Sequence, residues 1–299
     1  GKTALALHLA VGLSLFYDKR VLLVDVDHQS SLSLVCLKRE DWDEAVSTGR
    51  TVNAIFQHYI RQNTPLPGKD IIYKQPYGEY PNLDLIPATL QLDETELDLT
   101  STVVGDPIKS EWNKRTLICK WIEENAIDED YDYIIFDCPP ATKLVTQNAI
   151  AASHGFIVPV IPDAVSTRGV PHLIARVLTK IDGKMKDLAE YLETKGDYIT
   201  NAYIPETKLV GIVINMIRKH GPAYSGYISD HTRHLKILEL DFSGDIVEPY
   251  IPYGAGVPEC LSKGYPVYKY RRSQNVRKLN YDVLFEELTT NLKNRIDKL

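Results

Sequence analysis

The chain is short of the features that mark several large protein classes. It has only four cysteines, Cys36, Cys119, Cys138 and Cys260, none in CxxC spacing, which speaks against a zinc site and for reduced thiols in a cytosolic compartment. Its longest apolar runs are about strand length, so no segment reads as a membrane-spanning helix, and no secretory leader is visible. An excess of positive charge is also missing: 34 Lys and Arg stand against 40 Asp and Glu, a net of -6. The chain therefore lacks the overall field of a dedicated nucleic-acid binder, and any such contact has to come from a local patch. Nor is there a repeat, a low-complexity tract or a Pro/Gly/Ser-rich linker. With 299 residues and 44% hydrophobic content, a single domain over 1–299 is expected.

What is present is an alternation of short aliphatic runs with amphipathic stretches, the pattern of a mostly parallel sheet covered by helices on both faces. Strands are expected at Val21–Asp25, Leu83–Ile86, Tyr133–Asp137, Phe156–Ile161 and Val210–Asn215. Trp112, Leu117, Ile118, Trp121 and Ile122 fall at helical spacing with charged residues between them, so one helix is expected there, and others at Arg168–Ile181 and Ser225–Leu240. Lys38–Pro81 reads as a helix followed by a long Pro- and Gly-rich loop, and Asp182–Lys208 as a charged insertion.

Gly1-Lys2-Thr3 opens a helical stretch, which is the arrangement of a phosphate-binding loop. Helix-start amides cradle phosphates, the Lys2 ammonium reaches the β and γ groups, and the Thr3 hydroxyl ligates Mg²⁺. The tripeptide alone is weak; its context strengthens it. Val21–Val24 ends in Asp25-Val26-Asp27, and alternation along an extended chain sends both carboxylates the same way, towards the crevice at the carboxyl ends of a parallel sheet. One can hold a magnesium-bound water while the other orients the attacking water; capping of the next turn is the plainer role. Ile134-Ile135-Phe136 places Asp137 where a P-loop enzyme keeps its Mg²⁺-organising carboxylate, and Pro139-Pro140 ends that strand. Cys138 beside it reads as a small filler rather than a reactive thiol.

These segments, together with LDLIPATLQL, FIVPVIPD, GIVINM and IPYGAGVPECLSKGYPVYKY, occur in the order found in ParA-type partition ATPases, the deviant Walker A group that includes MinD, and the resemblance spans nearly the whole chain. It implies a doubly wound α/β P-loop fold that binds ATP and Mg²⁺, forms a homodimer with ATP sandwiched between the subunits, and hydrolyses it slowly under stimulation by a ParB-like adaptor protein, to segregate or position plasmids, chromosomes or other cargo in the bacterial cytoplasm. Carried over by position, Lys2 grips the phosphates, Thr3 ligates Mg²⁺, Asp137 organises its waters, and Asp27 orients the hydrolytic water with Asp25 beside it. Asn215 and Pro252 fall where the family contacts adenine, although Asn215 as a strand end and Pro252 as a turn former serve equally well.

The family's signature Lys, first strand and most of its glycine loop would lie upstream of Gly1. Where chromosomal relatives place DNA-contacting arginines, this chain has His220 and Gly256, so nonspecific DNA binding and association with the nucleoid stay open. Arg218, Lys219, Lys263, Lys269, Arg271, Arg272, Arg277 and Lys278 are the available replacements. Tyr281, Leu284, Phe285, Leu288, Leu292, Ile296 and Leu299 form one helical stripe. Its polar face mixes acids with bases, so packing on the sheet is expected rather than membrane anchoring. The competing classes are a metabolic enzyme of the same fold, of the dethiobiotin-synthetase kind, a hydrolysis-deficient scaffold, and an iron–sulfur reductase, whose cysteine pair Cys138 does not match.

Overall fold

The computed structural model describes residues 1–220 and 226–299. The chain enters on α1 (Lys2–Tyr17), followed by β1 (Val21–Asp25), α2 (Ser31–Cys36), α3 (Arg39–Thr48), α4 (Asn53–Ile60), β2 (Tyr73–Lys74) and β3 (Leu83–Ile86). Next come α5 (Leu92–Ser101), α6 (Pro107–Asn113), α7 (Leu117–Glu124), α8 (Ile127–Asp130), β4 (Tyr133–Asp137), α9 (Leu144–Ala151), β5 (Gly155–Val160), α10 (Ala164–Ala175) and α11 (Asp182–Thr194). The remainder is β6 (Lys208–Ile217), β7 (Lys219–His220), β8 (Gly226–Tyr227), α12 (Ser229–Asp241), β9 (Ile246–Pro252), α13 (Gly256–Ser262), α14 (Gln274–Arg277) and α15 (Tyr281–Ile296).

The order β2-β3-β1-β4 makes one sheet, parallel except for β2, and β5-β6-β9 makes a second, wholly parallel one. Alternation along β1 divides its side chains between two layers. Val21 and Leu23 join α1 and α15 in one core, while Leu22 and Val24 face Ile55 and Phe56 of α4 and Ile118 and Trp121 of α7 in the other. In the second sheet, Val158, Val160, Ile212 and Ile214 pack against Val170 of α10 and Leu235 and Leu238 of α12. This is the expected doubly wound α/β arrangement, but its strands pair as two sheets rather than one. The outer edges of β4 and β5 have no strand partner among the described residues, and Ile134, Ile135, Phe136, Phe156 and Ile157 are only partly buried there.

The α1–α15 contact is close because one of the two helices offers no side chain. A Cβ on Gly12 would lie 2.5 Å from Oγ1, 2.9 Å from Cγ2 and 3.1 Å from Cβ of Thr289, and no rotamer of a β-branched residue clears all three. The apolar stripe of α15 is consumed by this packing: Tyr281, Phe285, Leu288 and Leu292 are buried. Among the described residues no helix is long and apolar enough to cross a membrane.

Several local expectations change. The single helix expected around Trp112–Ile122 is two, α6 and α7, because Asn148 of α9 enters the break: its amide donates to Lys114 O at 2.8 Å, and its carbonyl accepts from Ile118 N at 3.2 Å. Lys38–Pro81 holds two helices and β2 instead of one helix and a long loop. The helix expected to stop at Ile181 runs through a π-helical turn, Arg176–Ile181, into α11, so the insertion Asp182–Lys208 begins as helix. β9 escaped sequence reading because Glu248, Pro249 and Pro252 interrupt its aliphatic run, which an edge strand tolerates. The helix expected from Ser225 is described from Ser229; Ser225 itself lies outside the described residues.

Two stability measurements test this core. Gly12→Ala should destabilise the protein by ~1–3 kcal/mol through overpacking against Thr289, read from denaturant unfolding midpoints; an unchanged midpoint contradicts the tight α1–α15 contact. His8 is fully buried, stacked on Phe285 at 4.0 Å, with Nε2 accepting from Val267 N at 3.0 Å, and burial depresses its pKa from 6.5 to about 4. A depressed histidine contributes stability that is full above pH 6.5 and lost as pH falls towards 4, up to ~3 kcal/mol. Asp25 and Asp137, whose pKa values are raised, act in the opposite direction. The stability difference between wild type and His8→Gln therefore isolates the histidine, and should shrink as pH falls through that window.

Candidate functional site

The site forms where three chain segments arrive at the carboxyl ends of the first sheet. β1 and β4 run parallel with Asp25 in register opposite Asp137, so two carboxylates end adjacent strands. Both are buried, at 0% and 2% exposure, and burial is the main reason their pKa values rise, to about 7 for Asp25 and about 6 for Asp137. α1 starts beside them. The Thr3 hydroxyl and the Lys2 ammonium oppose the rise at Asp137, while Asp27 adds to it.

The two carboxylates are nevertheless in different states. Asp25 is fully engaged by the loop that follows its own strand: Oδ1 accepts from Asp27 N at 3.1 Å, and Oδ2 accepts from Ser33 N at 2.9 Å and from Ser33 Oγ at 2.6 Å. Ser33 Oγ in turn accepts from Ala88 N at 2.8 Å, which ties α2 to the segment after β3. Asp137 Oδ2 is buried with no hydrogen-bond partner. A carboxylate oxygen left without a donor costs free energy unless something supplies one. Oxygen donors such as Asp137 and the Thr3 hydroxyl suit a hydrated magnesium ion, which binds through one or two protein groups and keeps several waters. Asp27 accepts from Gln29 N at 3.0 Å, and His28 Nδ1 lies 3.6 Å from the same oxygen. Burial and the three nearby carboxylates push the Cys138 thiol well above the ordinary range, which disfavours its thiolate.

On the other side of α1, Asn215 of β6 donates from Nδ2 to Gly1 O at 3.3 Å. Asn215 pairs with Ile251 and Ile217 with Pro252, so Asn215 and Pro252 share one end of the second sheet. Tyr281 Oη donates to Pro252 O at 2.8 Å and fixes that end. Thr3 thus meets Asp137 at the α1 N-terminus, and Asn215, which shares a sheet end with Pro252, meets Gly1 there. Sequence reading missed Ser33, whose only signal was a serine following the Asp-x-Asp pair; Arg218, one of the basic residues considered for DNA, lies over the exposed Tyr253 ring at 5.3 Å from its centroid. Of the basic residues considered for DNA, Lys263 pairs with Glu259 and Lys269 with Glu79, while Arg271 lies over Phe16 and Tyr268.

The chain is 30% identical over 178 residues to the sporulation initiation inhibitor protein Soj of Bacillus subtilis, covering 59% of this chain and 60% of Soj, less than two thirds of that protein's length. It is 24% identical over 291 residues to the chromosome partitioning protein ParA of Caulobacter vibrioides, covering 96% of this chain and 90% of that one. Residues 1–189, more than half of the chain, match the AAA domain family. The chain belongs to that family, and its similarity to Soj and to ParA supports the ParA-type resemblance. Its fold is also that of apo McdA from Cyanothece, with a TM-score of 0.66 at 17% identity over 99% of this chain and 94% of that one. Cobyrinic acid a,c-diamide synthase from Mycobacterium smegmatis, with bound ADP and magnesium, shares it at a TM-score of 0.59 and 19% identity, covering 99% and 91%.

Ser33→Ala removes the donor to Asp25 and the acceptor for Ala88 N together. It should lower stability by ~1–3 kcal/mol in equilibrium unfolding, since both groups are buried; a neutral substitution contradicts the role given to the Asp25–Ser33–Ala88 link.

Proposed function

We propose that this chain is an ATP- and Mg²⁺-dependent switch that forms a homodimer around bound nucleotide, hydrolyses it slowly under stimulation by a ParB-like adaptor, and so segregates or positions a plasmid, a chromosome or another cellular cargo in the bacterial cytoplasm. The observation that carries this reading is the buried, unpartnered Oδ2 of Asp137 beside Thr3 at the N-terminus of α1. Lys2 and the first amides of α1 would bind the phosphates, Gly1 allows close approach of backbone to them, and Thr3 and Asp137 would hold the magnesium ion. That ion supplies neutralisation of developing phosphate charge.

The chain's own part is positioning. Asp27, at the rim of the buried cluster, would orient the attacking water, and Asp25, its oxygens committed to Asp27 N and Ser33, holds Asp27 in place. Asn215 and Pro252 would contact the adenine. The outer edges of β4 and β5 have no strand partner among the described residues. Nonspecific DNA stays a secondary partner in this reading, since Lys263 and Lys269 are already paired with acids. Membrane contact has no part in it, the α15 stripe being spent in the core.

The full-length protein should dimerise on addition of ATP and Mg²⁺ in sedimentation or light scattering. Lys2→Ala and Asp137→Asn should each abolish that response, and Asp27→Ala should keep it while slowing turnover ~10²-fold. A monomer indifferent to ATP would sink the proposal. Turnover stimulated by a small carboxylate instead of DNA and adaptor would move the chain to the metabolic enzymes of this fold, and bound nucleotide without turnover would make it a scaffold.

A further inference from the structure

Helix α9 begins seven residues after Asp137, and it lacks a cap of its own: Lys143, at its N-cap, offers its first amides no side-chain acceptor. The acceptor comes from another helix. Glu96 of α5, only 6% exposed, takes Leu144 N on Oε1 at 2.7 Å and Val145 N on Oε2 at 2.9 Å. A carboxylate receiving two helix-start amides is held by charge-assisted hydrogen bonds and by the positive end of the helix dipole.

The segment between Asp137 and α9 depends on that docking. Pro139 and Pro140 have no N–H to offer. The contacts that hold the segment come from α9: Thr146 Oγ1 donates to Ala141 O at 2.7 Å, and Gln147 Nε2 donates to Thr142 O at 3.0 Å. Where α9 sits therefore decides where this loop and the end of β4 sit. At the surface Lys143 Nζ reaches Asp93 at 3.0 Å, a second tie between the same two elements. α5 is also joined to the other strand end: Asn53 Nδ2 donates to Thr95 Oγ1 at 3.1 Å, Thr89 Oγ1 donates to Asn53 Oδ1 at 3.4 Å, and the neighbouring Ala88 donates to Ser33, which holds Asp25.

We infer that Glu96 is a positioning residue of the nucleotide site: a buried carboxylate on α5 that latches α9 and thereby fixes the loop following Asp137 against the segment carrying Asp25 and Asp27. Its consequence for turnover rests on the ATPase reading above; its structural half does not.

The test is amide hydrogen exchange and steady-state kinetics on the full-length protein, comparing wild type, Glu96→Gln, Glu96→Ala and the exposed same-helix control Glu94→Ala. In Glu96→Ala, exchange at Ala141–Val145 should rise at least about tenfold while α1 and β1 keep wild-type protection, because the opening is local. Glu96→Gln, which keeps one acceptor, should fall between, and Glu94→Ala should match wild type. Turnover should drop at least about tenfold with KM for ATP within about threefold, the mark of lost positioning rather than lost binding. Unchanged exchange at 141–145, or a rise spread evenly over the whole chain with activity tracking only the folded fraction, overturns the inference. Should Glu96→Ala not fold, Glu96→Gln against Glu94→Ala decides by the same two criteria. Should wild type itself turn over no ATP, the proposed function fails while the exchange comparison still judges the latch.

Discussion

Two carboxylates buried side by side at the ends of parallel strands are the constraint around which this molecule is arranged. Asp25 and Asp137 face each other in register, and each would lose much of its hydration free energy if left alone there. The fold answers the two burials differently. Asp25 receives three donors from the segment it precedes, so its charge organises the β1–α2 loop. Asp137 keeps one oxygen unsatisfied and depends on what arrives at the start of α1. A fully hydrogen-bonded carboxylate and one with an unpartnered oxygen thus stand on neighbouring strands with the same residue type.

α1 is the element that turns this carboxylate pair into a site, and its position is enforced from its far side. Gly12 against Thr289 and His8 between Phe285 and Val267 lock the helix to α15 and to the chain before α14. Its N-terminus is consequently held between the carboxylates of the first sheet and Asn215 of the second. The last helix of the chain, which touches no proposed ligand, governs the placement of the first residues that do. Stability and function are coupled here through packing rather than through shared residues.

Legibility from sequence followed the locality of the signal. The strands ending in Asp25 and Asp137 stood out because each is an unbroken run of large apolar residues, and an acid at the end of such a run is conspicuous. β9 was invisible because its prolines are tolerated only at an edge, and edge status is a property of the sheet. The break between α6 and α7 was equally hidden. Its cause, Asn148, lies about thirty residues downstream and acts by replacing helical hydrogen bonds with its own amide. Glu96 carried no signal in the sequence, and only the approach of α9 gave it two amides to bind.

The sequence by itself determined the chemistry: a Gly-Lys-Thr helix start, three aspartates at strand ends, the family they belong to, and the α/β class that follows from alternating periodicities. Each of these is written in residues within a few positions of one another. Tertiary structure alone decided the division of labour among the aspartates, the pairing of strands into two sheets, and the borrowed cap on α9. Those depend on which groups share desolvated space, and hydrogen bonds between residues nearly fifty positions apart leave no periodic trace in the chain.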